Sequence, residues 1–405
     1  MPQKFAIVIP DGAADEPLES LGGRTPLQAA RTPEMDAIAR EGVLGRSRNV
    51  PDRFLPGSDV ATLSLFGYDP DAVFTGRAPL EAAAAGVELG PEDWAIRCNL
   101  MTIEDGRLSD FTAGHITSEE AAELIAALDK GLGGDGIEFR PGVSYRNLMI
   151  YRGAGRPAPF GPTTKTVPPH DHPDQPAAEY LPTGPGSDLL RDLIERGREI
   201  VENHPVNLAR ADLGKKPANA IWLWGQGKAP SLSKFADLHG LRGAIISAVD
   251  LVRGVGLLAG WDRIDVPGAT GYLDTDYAAK GRYGVEALDR YDIVCVHIEA
   301  PDEASHEGRA DAKVEALERI DREIVGPMRR AIDSHGGRIL VSPDHATLVR
   351  TKAHDRDWVP WAMAGAGLAA SGFPYDEASA ARAGGPSLAD GHRLMNTFLD
   401  IANNR

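Results

Sequence analysis

In "APDEASHEG" (300–308) an aspartate, Asp302, stands four residues ahead of a histidine, His306, directly after the apolar run "YDIVCVHI". On a helix that spacing puts carboxylate and imidazole on one face, a geometry suited to gripping a metal ion. Two other apolar runs end the same way. Asp11 closes "FAIVIPDG", and Asp344 with His345 closes "RILVSPDH". His354 follows in "TKAHDRD". Asp-Gly after a strand is by itself a turn signal, and one Asp-x-x-x-His pair is often a solvated helix face. Recurrence at three run ends carries the inference. Three carboxylates and three imidazoles in one crevice suit two divalent cations, and such mixtures suit zinc, manganese or cobalt. Paired cations ~3.5–4 Å apart are a standard clamp for phosphoryl transfer.

Phosphoryl transfer needs an acceptor. "RFLPGSDVATLSLFGYDP" (53–70) offers Ser58 ahead of the helical pattern "VATLSLFG". A helix N-terminus favours an anion, a phosphoserine included. A cation on its oxygen would make the hydroxyl a nucleophile. An ordinary capping serine is the plainer reading of the segment alone.

The elements that must position these residues are apolar throughout: "FAIVI" (5–9), "AIWLW" (220–224), "GAIISAV" (243–249), "DIVCVHI" (292–298) and "RILVS" (338–342). Such runs suit strands covered on both faces. Between them lie amphipathic helical patterns. "SDLLRDLIERGREIVEN" puts Leu189, Leu190, Leu193, Ile194, Ile200 and Val201 on one stripe, with Ser187 as its expected cap. "KVEALERIDREIVGPMRRAIDSHGG" repeats the pattern with Val314, Leu317, Ile320, Ile324 and Met328 and stops at Gly336-Gly337. The alternation predicts an α/β fold with a mainly parallel sheet flanked by helices. There, ligands bind beyond the carboxyl ends of strands. Pro/Gly-rich turns such as "GAGRPAPFGP" and "PPHDHPDQP" break the rhythm in the middle. The expected organisation is a core domain over 1–75 and 235–405 with a second, α+β domain inserted over 76–234.

Bulk properties narrow the function class. The chain has 405 residues, 43 basic against 59 acidic side chains, and a formal charge of −16. Such an excess disfavours nucleic acid and anionic membranes as partners. No stretch approaches the ~20 apolar residues of a membrane span. "MPQKFAIVIPDG" has too short an apolar run for a signal peptide, so a cytoplasmic enzyme acting on a small molecule is expected. Cys98 and Cys295 lie in apolar runs and read as buried thiols rather than a disulfide. Nothing in the sequence sets an oligomeric state.

Asp11, "PGSDVA", "APDEASHEG", "PDH" and the later histidine together resemble the alkaline phosphatase superfamily. More closely, the chain resembles the archaeal-type cofactor-independent phosphoglycerate mutases. That likeness runs through "FTAGHITSEEA" (111–121), "FRPGVSYR" (139–146), "PPHD" (168–171), "NAIWLWGQGKAPSL" (219–232), "GLRGAIISAVDLVRGVG" (240–256), "GATGYLDTDYAAK" (268–280) and "DGHRLMNTF" (390–398). The resemblance implies an alkaline-phosphatase-like core and two divalent metal ions (Mn, Zn, Co or Mg). Asp302, His306 and His354 would hold one, and Asp11, Ser58, Asp344 and His345 the other. It implies that Ser58 carries the phosphoryl group while 2- and 3-phosphoglycerate interconvert without bisphosphoglycerate. Domain closure would keep water out. Candidates for substrate binding are His115, Arg140, Arg146 and Asp171 in the insert, and Arg253 and Lys280 in the core. The family's D-H-P-T-P loop reads "DHATLVRTKAH" here. A homoserine-kinase-like phosphotransferase and a phosphomonoester hydrolase of the same superfamily are the alternative activities. A metal-binding scaffold is the non-catalytic one.

Overall fold

The structure, a computed structural model, describes residues 3–399. They form two compact units, one from residues 3–74 and 231–399, the other from 75–230.

The first unit is built on an eight-stranded sheet. Its order is Ser387–Leu388, Val43–Ser47, Val359–Gly365, Arg338–Val341, Phe5–Pro10, Ile293–Ile298, Gly243–Ile246 and Asp262–Arg263. Val359–Gly365 runs antiparallel to both its neighbours, and the other described pairings are parallel. The fold is therefore α/β with a mainly parallel sheet. Phe5–Pro10 and Ile293–Ile298 are buried at every position, which is why their sequences do not alternate. Helices supply the cover. Met328 and Ile332 of Gly326–His335 and Met35 and Ile38 of Pro33–Glu41 join Val8, Val294 and Val296 in one core. Cys295 is a buried free thiol in this sheet. The long helical pattern after residue 310 forms as Ala310–Ile320, a π turn Asp321–Val325, and Gly326–His335, ending at Gly336 with φ 64°.

The second unit is α+β. Its longest strand, Trp94–Glu104, pairs antiparallel with Arg107–Asp110, Arg146–Tyr151 and Ala220–Lys228. Ile137–Val143 completes the sheet beside Arg146–Tyr151. The "AIWLW" run thus lies in an antiparallel sheet. It has no alternation because both faces are covered: Ile221 and Leu223 pack with the helices Ser118–Leu132 and Ser187–Glu202, and Trp222 and Trp224 with Met101 and Leu108. Ser187 is not the cap expected of it. The turn places Gly186 there at φ 74°, and Ser187 is already the first helical residue. Thr75 donates its hydroxyl to the Lys228 carbonyl at 2.5 Å, so this unit begins and ends at one place. Among the described residues no helix is long and apolar enough to cross a membrane.

Candidate metal centre and active site

The carboxyl ends of the parallel strands carry the reactive side chains. Asp11 follows Phe5–Pro10, and Asp344 with His345 follows Arg338–Val341. Asp302 and His306 lie one turn apart on the helix Ala300–Glu307, which starts just beyond Ile293–Ile298. Their side chains meet at 3.1 Å. His354 arrives by a two-stranded hairpin in which Ala346–Leu348 pairs with Ala353–Asp355 and Thr347 stands opposite His354. The loop that lacks the family's prolines is thus an ordinary β-turn structure that delivers the last imidazole. Ser58 is the first residue of the helix Ser58–Leu65.

All seven residues meet. Ligand atoms of Asp11, Asp344 and His345 lie within 4.8 Å of one another, and so do those of Asp302, His345 and His354. His306 Nε2 is 3.0 Å from His354 Nε2. Ser58 Oγ sits 3.2 Å from both Asp11 Oδ2 and His345 Nε2.

The hydrogen-bond inventory tests whether these residues suit a cation. A carbonyl oxygen only accepts, so a ring nitrogen bonded to one must carry the proton. His306 Nδ1 bonds Lys352 O at 2.9 Å, His354 Nδ1 bonds Pro56 O at 3.1 Å, and His345 Nδ1 bonds Ala346 O at 3.3 Å. In its neutral form each ring would therefore turn an unprotonated Nε2 toward the others and toward three buried carboxylates. Asp11 Oδ1 and Asp344 Oδ2 are buried without hydrogen-bond partners. Lone pairs facing one another need protons or a metal between them. The titration directions report the same crowding. Asp11 is held well above the usual carboxylate range by burial, then by Asp344, Asp302 and Glu299. Burial also opposes ionisation of Asp302, yet His306 and His354 hold it well below that range. Its bond to Asp302 pushes His306 up to about 9. The donor set fits divalent cations.

Outside the fold, the chain has close relatives. A sequence model of the family described as 2,3-bisphosphoglycerate-independent phosphoglycerate mutase matches residues 39–207. A protein of that name from Methanothrix thermoacetophila is 48% identical over 98% of this chain and 99% of its own. The chain belongs to the 2,3-bisphosphoglycerate-independent phosphoglycerate mutases. Another mutase of that name, from Methanosarcina acetivorans, is 51% identical over 89% of this chain and 90% of its own. Among solved structures, a Pyrococcus horikoshii protein matches with TM-score 0.84 and 29% identity, covering 100% of this chain and 98% of that one. The cofactor-independent phosphoglycerate mutase of Thermoplasma acidophilum matches with TM-score 0.67 and 26% identity over 99% and 100%.

The substrate candidates of this phosphoglycerate mutase are placed unevenly. In the first unit, Lys280 is buried with its ammonium 3.2 Å from the His297 carbonyl. Burial lowers it to about 8, with Glu299 opposing. Arg253 bonds the Ser247 carbonyl at 2.6 Å and Asp250 at 3.1 Å. In the second unit, Arg140 is taken up by Glu138 at 2.7 Å. His115 is exposed at φ 51°. Asp171 lies in the turn Pro169–Asp171, 3.6 Å from His170. Arg146 stands over the Tyr145 ring at 4.9 Å.

Arg97, Asn99 and Trp224, which the sequence reading missed, stand beside the candidate Arg146 in that unit. Arg97 and Asn99 share one side of the Trp94–Glu104 strand, with Trp224 and Arg146 opposite them on the neighbouring strands. Arg97 is buried, 4.0 Å over Trp224 and 2.9 Å from Glu81. His170 packs on Trp224 and Phe111 at 5.4 and 5.8 Å. Burial lowers His170 to about 4; Asp171 opposes this, and Arg97, Arg77 and Arg146 add to it. Three guanidiniums around a neutral imidazole, in so acidic a chain, suit an anion. The signal was an arginine inside the apolar run "AIRCNL".

Proposed function

We propose that this chain interconverts 2- and 3-phosphoglycerate through a phosphoserine on Ser58, without bisphosphoglycerate, as a cytoplasmic enzyme of glycolysis and gluconeogenesis. The observation that carries the reading is the convergence of Ser58 with six buried or half-buried carboxylates and imidazoles whose ligand atoms face one another. Asp302, His306 and His354 would hold one divalent cation, and Asp11, Ser58, Asp344 and His345 a second; manganese, zinc, cobalt and magnesium are the candidates. Cations there would supply Lewis acidity, easing loss of the Ser58 proton and countering charge on the phosphoryl oxygens. Ser58 Oγ attacks phosphorus, the Oγ–P bond forms as the glycerate O–P bond breaks, and the departing oxygen takes a proton. The reverse transfer, to glycerate's other hydroxyl, restores Ser58. The position of Ser58 at the start of an eight-residue helix favours the phosphorylated state. The domain of residues 76–234 would bind the carboxylate and hydroxyls through His115, Arg140, Arg146 and Asp171, and Arg253 and Lys280 would act from the core domain.

The test couples 3-phosphoglycerate to enolase with no bisphosphoglycerate present. Turnover that requires added divalent metal, is lost on chelation, and falls at least ~10³-fold in Ser58→Ala supports the reading. No turnover with manganese, cobalt, zinc or magnesium removes it, and release of inorganic phosphate instead identifies a hydrolase.

A further inference from the structure

We propose that His297, steadied by Ser247, is a positioning residue for Asp11, fixing which carboxylate oxygen is left to ligate metal; this rests on the reading of Asp11 as a ligand. His297 is fully buried inside the Ile293–Ile298 strand, where every neighbour along the chain is apolar. Its register partner on the adjacent strand is Ile9, two residues before Asp11. An imidazole there loses its hydration and must be repaid by polar neighbours.

Those neighbours define its proton. Ser247 Oγ accepts the Val249 amide at 3.0 Å. Its own hydrogen has two takers, His297 Nδ1 at 3.2 Å and the Val249 carbonyl at 3.5 Å. Donation to the nearer, Nδ1, would put the ring's proton on Nε2. Nε2 lies 2.9 Å from Asp11 Oδ2, a contact whose angle falls short of a hydrogen bond, and it has no hydrogen-bond partner among the described residues. At that separation an N–H attracts the carboxylate, whereas a bare nitrogen repels it. Oδ2 also receives the Ser58 hydroxyl at 3.2 Å. The protein therefore occupies Oδ2 and leaves Oδ1, which is buried and unpartnered, to point at a cation. The same division of labour holds Asp344, whose Oδ1 takes the Gly12 and His345 amides while Oδ2 has no partner. Partners behind the ligands of this kind set ligand orientation and affinity.

Manganese(II) alone, titrated into the metal-free protein, reads the effect directly. His297→Leu keeps the volume and removes the donor; His297→Gln keeps an N–H at the same reach. We expect His297→Leu to weaken manganese binding at one site ~10–100-fold, with kcat falling and KM little changed. His297→Gln should recover most of the affinity, and Ser247→Ala should lose a few-fold. Thermal midpoints of the metal-free variants check that the fold is kept. Unchanged affinity in His297→Leu overturns the proposal. Loss of one whole manganese equivalent in both Leu and Gln variants overturns it too, since His297 would then be a ligand. Asp11→Asn is the control: wild-type affinity there brings down the ligand assignment of Asp11 itself.

Discussion

Each of the three converging imidazoles is turned by a main-chain carbonyl, and that is a strong constraint on a small cluster. It predicts that the residues act as two separable grips. Asp302→Asn should cost one of two bound metal equivalents, counted by elemental analysis after desalting, and reduce turnover by at least ~10²-fold. Lys280 makes a different residue-level prediction. Its folded pKa, about 8, lies below the ordinary 10.5 because burial disfavours the ammonium. Between those values the unfolded chain binds more protons, so stability rises with pH there, by up to about 1.4 kcal/mol per unit, and the penalty is full below pH 8. In Lys280→Met that rise should vanish from denaturation curves taken at pH 8 to 10. Legibility in the sequence followed burial. Asp11, Asp302, Asp344 and His345 could be found because each ends an apolar run, where a strand gives way to a loop. His297 could not, because it lies within the run and its polar partners come from residues 11 and 247. Thr347, which donates to Asp302 at 2.5 Å, was passed over for another reason: its loop was read for its histidines, and one hydroxyl among them carries no ligand signal.

At the scale of elements, the tightest point is the turn after the first strand. Gly12 has φ 61°, and a Cβ there would fall 2.6 Å from Thr347 Oγ1 and 2.7 Å from Asp302 Oδ1. Gly12→Ala should therefore strain the backbone and push Asp302 aside, giving a folded protein with weakened metal binding, measurable by the same titration. A second close approach lies far from the chemistry. The helix Tyr277–Leu288 crosses the π turn where a Cβ on Gly281 would stand 2.1 Å from the Glu323 carbonyl. Pro327 has no N–H to offer that carbonyl, and the helix is rewound through a bond from Gly326 to Asp321. Gly281→Ala should cost about 1–3 kcal/mol in denaturant unfolding. The helical period of 314–328 was plain in the sequence, but not the π turn, since a register change of one residue leaves the apolar stripe nearly intact. Strand direction was similarly opaque for "AIWLW". A run buried on both faces looks alike in parallel and antiparallel sheets, and only pairing partners distant in sequence decide it.

At the scale of the whole molecule, each unit has its own core: Val8, Val294 and Met328 belong to one, Leu100, Leu124 and Ile194 to the other. A polypeptide of residues 75–230 should fold by itself, with a single cooperative transition by circular dichroism and no mutase turnover. The bond from Thr75 to the Lys228 carbonyl joins that unit's first residue to the end of its last strand, and in the other unit Tyr68 reaches the Ser233 carbonyl at 2.8 Å. With its own ends held together, residues 75–230 would lift out as a cassette. Joining Phe74 to Ser231 through a glycine-serine bridge is then the route to refit the same platform with a foreign recognition module and redirect its chemistry.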